Sequence, residues 1–194
     1  MPIKSGIAER YDSEAYKIRK RHNFPYDEPL NPYILADSLG IKVVEPNNVS
    51  GVSDEDLMAI QSLGADWSGL SFSLPDNQII VILNPYIDEP RKRITLTEEI
   101  CHFFCGHKAK VEVNLSGSQE MRFLDYARQN EKEAYGIAAA TLVPYNALRS
   151  EILKEKNIEE MALYFQISPE LVEYRLKITR LLNLYKEIQK VRKL

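Results

Sequence analysis

Residues 93–102 read Arg93-Ile-Thr-Leu-Thr-Glu98-Glu99-Ile-Cys-His102. Asp88-Glu89-Pro90 ahead of them offers an acidic cap and a first-turn proline, and Gly106 behind them offers a stop. The spacing therefore predicts a helix over about 90–106. Upstream, Gln78–Asn84 is an almost unbroken aliphatic run rich in β-branched residues, as suits a strand buried on both faces. Trp67–Leu74 alternates, with Leu70, Phe72 and Leu74 on one face and Ser71 and Ser73 on the other. Pro75-Asp76-Asn77 supplies a turn between the two segments. Val43-Val44 could extend this hairpin into a small sheet. Further back, Ile7–His22 reads as a polar helix, Asn31-Pro32 caps a short one over Tyr33–Leu39, and Asp54–Leu63 is a possible third. Downstream, 108–117 reads as a loop, and a second long helix is expected over about 119–142, ending before Pro144. Asn146–Lys156 reads as another helix, and Asn157 and Ser168-Pro169 each begin one more, the last continuing toward the C-terminus. The expected fold class is α+β, a small antiparallel or mixed sheet with packed helices and a helical extension.

The chain has 194 residues, 44% hydrophobic and 27% charged, with a formal net charge of -3. That is ample for a sizeable core, and balanced charge argues against a dedicated nucleic-acid binder. The apolar runs are too short to span a bilayer, and the N-terminus lacks the apolar stretch of a signal peptide. Two cysteines, Cys101 and Cys105, are too few for a disulfide framework. A soluble, cytoplasmic protein without a membrane partner is the expectation.

On the 90–106 helix, Glu98 and His102 are four apart and share a face, so they could grip one ion. Glu99 stands beside them at the offset of the general base in a His-Glu-x-x-His helix. Such a site needs three protein ligands and an open position, with a carboxylate outside the ligand set to take a proton from water. Alone, an acidic pair followed by a histidine also describes a solvated helix face, so a third ligand must come from elsewhere. Glu131 is the candidate: with Ala134 and Ala138 it falls on one helix face, whose small residues permit close approach. Glu133 points to the other side and ranks second. An Ala-rich helix of this kind is also what a tightly packed core helix looks like, its glutamates forming the solvated edge. Cys105, three residues after His102, could lend a thiolate, although in Cys-His-Phe-Phe-Cys it also reads as a small apolar residue.

Together, "RITLTEEICH" and "EKEAYGIAAATLVP" resemble the ImmA/IrrE family of metallo-endopeptidases, over roughly residues 28–176. The preceding "IIVILN" matches the strand that family sets before its metal helix. The resemblance implies a zincin-like core over 1–145, followed by a helical, helix-turn-helix-like extension over 146–194. It implies metal ligands Glu98, His102 and Glu131, with Glu99 as general base. The metal would be zinc, with manganese or iron(II) as alternatives. It further implies cleavage of a helix-turn-helix repressor or antitoxin that derepresses stress, mobile-element or defence genes. The sequence departs from the family where Glu98 replaces the first histidine, where Tyr135 and Ile137 replace an Asn/Phe pair, and where a second histidine falls five residues on, at His107, instead of four. A Glu-His-Glu set neutralises a divalent ion, leaving a less acidic bound water and a weaker preference for zinc. The alternative is therefore a weakly active or inactive member that acts as a repressor-binding regulator or toxin-antitoxin component.

Residues 159–176 have helix-turn-helix spacing, but Glu170 and Glu173 stand where DNA readers present Arg, Lys, Asn or Gln, so they argue for a partner-docking role over direct DNA binding. Tyr126 could polarise a scissile carbonyl. Arg91, Lys92 and Arg93 read as a solvent face, and Trp67 as core.

Overall fold

The computed structural model describes residues 6–48, 58, 62, 67–73, 78–107, 111–115 and 121–192. Among these, eight α-helices accompany one sheet. The helices are α1 (Gly6–Arg21), α2 (Pro32–Ser38), α3 (Glu89–Phe104), α4 (Arg128–Leu142), α5 (Tyr145–Leu153), α6 (Ile158–Phe165), α7 (Pro169–Ile178) and α8 (Leu182–Arg192). The strands are β1 (Lys42–Val44), β2 (Gly69–Ser73), β3 (Ile79–Leu83), β4 (Val111–Leu115) and β5 (Met121–Asp125). The expected α+β class with a helical C-terminal region is the observed one. The turn expected at 75–77 and most of the helix expected at 54–63 lie outside the described residues.

The chain packs as two compact units. One spans Asn31–Lys132, and the other joins the chain up to Leu30 to that from Glu133 onward. Within the first unit the strand order is β1-β3-β2-β5-β4. β3 lies between a parallel neighbour, β1, and an antiparallel one, β2. This interior position, flanked by a strand on each side, explains its aliphatic composition: Val81, Ile82 and Leu83 are all buried. Two elements differ from the sequence reading. Residues 111–115, expected as loop, pair with 121–125 in an antiparallel ladder running from Val111↔Asp125 to Leu115↔Met121. The second long helix accordingly starts at Arg128, not near 119. The apolar alternation of Val111, Val113 and Leu115 is the strand period of two, and a cross-strand partner outweighs the helix propensity of the following residues.

α3 is capped as its sequence demands. The Asp88 side chain accepts from the Arg91 amide at 2.8 Å, and Gly106 takes a left-handed φ of 63° beyond the helix end. Its inner face buries Ile94, Leu96, Ile100 and Cys101. Arg93, expected on a solvent face, is buried as well, because the face it shares with Glu89 packs beneath α2; burial lowers its pKa while Glu89 and Tyr33 act to raise it. At Gly69 an added Cβ would stand 2.7 Å from Thr95 Cγ2, so β2 crosses α3 at glycine-only distance.

The second unit is helical. Gly136 of α4 lies so close to the Tyr11 ring of α1 that a Cβ would come within 2.1 Å of it. Asn157 and Glu160 form a capping box at α6, and Ser168 caps α7. The last helix does not run unbroken to the end: the chain turns at Arg180, φ 60°, before α8 begins. The apolar residues Met161, Phe165, Leu171, Val172 and Leu176 of α6 and α7 are buried.

Candidate metal centre

Three of the predicted residues converge inside the Asn31–Lys132 unit. One ligand atom each of Glu98, His102 and Glu131 lies within 4.8 Å of the others. Glu98 and His102 come from one face of α3, one turn apart, and Glu131 from the first turn of α4. The Glu131 Oε1 atom is 3.5 Å from His102 Nε2. That helical turn was expected well inside a longer helix, yet Glu131 reaches the predicted neighbour, since the register of the following residues is unchanged.

His102 is 1% exposed and fixed on three sides. The Tyr126 ring stacks on it, centroids 3.7 Å apart and 16° from parallel. His107 Nδ1 lies 3.0 Å from its Nδ1. The remaining nitrogen, Nε2, faces Glu131. Burial, and then the second imidazole, push the His102 pKa down to about 3, so the ring is neutral near pH 7 with a lone pair for a cation. Glu131, by contrast, has 46% of its side-chain surface exposed, which leaves a solvent-facing side to the cluster.

The carboxylates carry the complementary perturbation. Burial first, then the charges of Glu131 and Glu99, push Glu98 up to about 8, with Arg91 acting weakly against them. Burial likewise pushes Glu99 up to about 7, opposed by a hydrogen bond from Ser71 and reinforced by Glu131. The Ser71 hydroxyl donates to Glu99 Oε2. Sequence alternation had set Ser71 on a polar strand face; that face is turned to α3 and Ser71 is buried. Tyr126 is pushed up to about 12 by burial and by the nearby Glu99 and Glu131, so it keeps its proton and remains a donor. Two carboxylates and one neutral imidazole form a donor set suited to a divalent cation, and the like-charge crowding that raises Glu98 is what such a cation would relieve.

Of the other sequence candidates, Glu133 and Cys105 are not members of the Glu98, His102 and Glu131 group. Glu133 forms an ion pair with Arg10 of α1, as expected for a residue two positions from Glu131 on a helix. Cys105 occupies the C-cap of α3. Trp67 is only partly buried, and its carbonyl accepts from Asn84 Nδ2 at 2.7 Å. Ser71 is the contact that sequence reading missed, and His107, noted there only as a displaced second histidine, is the one it left without a role. The strand alternation concealed the first; for the second, the signal was the glycine stop at Gly106, which sends the chain back over the helix end.

Residues 36–177 match the family described as the IrrE N-terminal-like domain, a peptidase family. The chain belongs to this family. The matched span closely follows the 28–176 over which the ImmA/IrrE resemblance was read. Membership in the IrrE N-terminal-like family supports a metallopeptidase-like or regulatory role, and the described residues include carboxylate and histidine groups that could hold a divalent metal. No curated protein matches the chain. Among solved structures, a Mycobacterium tuberculosis transcriptional regulator is similar at 13% identity and a TM-score of 0.48; the match covers 86% of this chain and 46% of that one. This family member therefore spans about half the length of that regulator. Among the described residues no helix is long and apolar enough to cross a membrane.

Proposed function

We propose that this protein is a metal-dependent endopeptidase whose ion is held by Glu98, His102 and Glu131. The observation that carries the reading is the convergence of two carboxylates and one neutral, buried imidazole, with Glu99 beside them and outside the ligand set. When bound, the ion supplies Lewis acidity toward a water molecule and a peptide carbonyl. Glu99, with an affinity for protons near neutrality in the metal-free chain, takes the proton of the attacking water and returns it to the leaving amine. Ser71 holds one Glu99 oxygen and thereby leaves the other for the proton. Tyr126, protonated at neutral pH, donates to the carbonyl oxygen as negative charge builds on it. Zinc is the first expectation for the metal, with manganese and iron(II) favoured more than usual by the two carboxylates.

The substrate expected from the family resemblance is a helix-turn-helix repressor or antitoxin in the cytoplasm, whose loss derepresses stress, mobile-element or defence genes. We assign peptidase chemistry to residues 1–145 and partner docking to 146–194. On α7 the exposed Glu170 and Glu173, with Lys177 paired to Glu173 at 2.9 Å, support a protein partner over DNA. A second reading, a regulator that binds the repressor without cutting it, rests on Glu98 in place of the first motif histidine. Glu99→Gln separates them: a peptidase keeps its metal and loses about 10²–10⁴-fold in turnover, measured by cleavage of candidate repressors from the same genome. Equal derepression by Glu99→Gln and wild type would establish the binding role instead.

A further inference from the structure

We propose that His107 is the positioning residue for the metal centre: its Nδ1 accepts a hydrogen bond from His102 Nδ1–H and so commits His102 Nε2 to the cation. The inference rests on the metal-site reading above and assigns a partner to the one imidazole in it. An imidazole that ligates through Nε2 must carry its proton on Nδ1, and that proton needs an acceptor when the ring is buried. His102 is buried, its Nε2 faces Glu131, and the atom 3.0 Å from its Nδ1 is His107 Nδ1. Neutral His107 can accept there only with its own proton on Nε2, so the two rings hold complementary tautomers.

The backbone explains why this partner stands five residues on. α3 ends in a Schellman motif: the Gly106 amide donates to the Phe103 carbonyl at 3.1 Å and the His107 amide to the His102 carbonyl at 3.1 Å. The second bond joins the same two residues whose side chains meet at Nδ1. It requires the left-handed residue that Gly106 provides, φ 63°. The helix stop is therefore also the device that returns an imidazole to the ligand. A histidine at position 106 itself would sit in the left-handed turn and lack this amide bond. The Tyr126 ring, stacked on His102 and edge-on to His107 at 6.4 Å, closes the same pocket.

The test uses the full chain labelled with 15N-histidine, which has only three histidines to assign. Long-range proton–nitrogen spectra of metal-free protein at pH 8 report which nitrogen of His102 carries the proton, and chelator competition reports zinc affinity. The expected result is an Nδ1–H tautomer for His102 in the wild type. His107→Phe, which removes the acceptor and keeps an aromatic ring, shifts the proton toward Nε2 and weakens zinc about 10–100-fold. His107→Gln, which keeps an acceptor, recovers most of that affinity. Gly106→Val, which disfavours the left-handed turn without touching either imidazole, behaves like His107→Phe, while Gly106→Asn, tolerant of it, behaves like the wild type. An Nε2–H tautomer in the wild type, or a His102 tautomer and zinc affinity unchanged in His107→Phe, would overturn the proposal. A wild-type chain that binds no zinc counts against the metal-site reading alone, because the tautomer still decides the role of His107.

Discussion

Buried charge is treated in opposite ways in two regions of this molecule. In the helical unit, Asp12 and Arg175 form an ion pair at 2.8 Å with side chains 3% and 0% exposed. Asp12 Oδ1 also accepts from the Tyr145 amide at 3.2 Å, and Arg175 Nε donates to the Val143 carbonyl at 2.9 Å. Arg19 nearby donates to the carbonyls of Thr141 at 2.8 Å and Glu28 at 2.9 Å, and to that of Pro25. Each charge there has a counter-charge or a set of dipoles. In the sheet unit, burial and then the neighbouring carboxylates, Glu131 included, raise Glu98 and Glu99 beside a neutral imidazole, with Arg91 acting against the shift at Glu98 and the Ser71 hydroxyl against that at Glu99. The first arrangement pairs opposite charges and is structural. The second is incomplete in a particular sense, needing positive charge, and perturbation of this kind is what marks a working site.

Breaking the charge-paired region should have the largest effect. Arg175→Met leaves Asp12 buried without its cation and is expected to destabilise the fold by about 3–5 kcal/mol, read from urea unfolding. A loss below ~1 kcal/mol would mean that the pair is replaceable by packing alone.

The second prediction concerns pH. Glu98 and Glu99 hold their protons to about 8 and about 7 in the folded, metal-free chain, against 4.5 for the ordinary carboxyl. Their contribution to stability is therefore complete below pH 4.5 and is lost as pH rises through 7 and 8, with a slope of about 1.4 kcal/mol per pH unit for each carboxylate. His102 acts in the opposite direction, its depressed value of about 3 adding stability as pH rises toward its ordinary 6.5. The two carboxylates outnumber it, so metal-free protein should lose stability between pH 5 and 8, while saturating zinc removes the loss. Thermal unfolding with and without chelator reads this directly, and the Glu98→Gln, Glu99→Gln double variant should lack the decline. A decline of equal size in that variant would place its origin elsewhere.

Smaller effects sharpen the comparison further. Glu98→Gln removes one of the crowded charges and should stabilise metal-free protein at pH 8 on the order of 1 kcal/mol while abolishing tight metal binding, so that stability and function move in opposite directions. Ser71→Ala removes the hydroxyl that donates to Glu99; metal content should be unchanged and kcat lowered about fivefold, near the worth of one hydrogen bond. An altered metal content would mean that Ser71 supports the ligands instead of the base.

Much of this was legible in the residues. Helix α3 carried its own cap, its stop and the i, i+4 pair, and all of these are local signals. β3 announced its interior position by composition. The strands at 111–115 and 121–125 were not legible because each is short and stabilised by the other, a non-local partnership that helix-compatible residues nearby obscured. Arg93 and Ser71 were assigned the wrong environment for a related reason: polarity along one element does not reveal that another element covers it. The position of Glu131 survived an error in where its helix began, since the face it occupies depends on its spacing from Ala134 and Ala138 and not on the helix start.

The central claim is that Glu98, His102 and Glu131 hold a divalent ion. Inductively coupled plasma mass spectrometry on protein reconstituted with zinc, manganese or iron(II) and freed of excess metal tests it most directly. The account predicts near-stoichiometric metal in the wild type, in Glu99→Gln and in Glu133→Gln, and its loss in Glu98→Ala, His102→Ala and Glu131→Ala. Metal retained in those last three variants, or none held by the wild type, would contradict it.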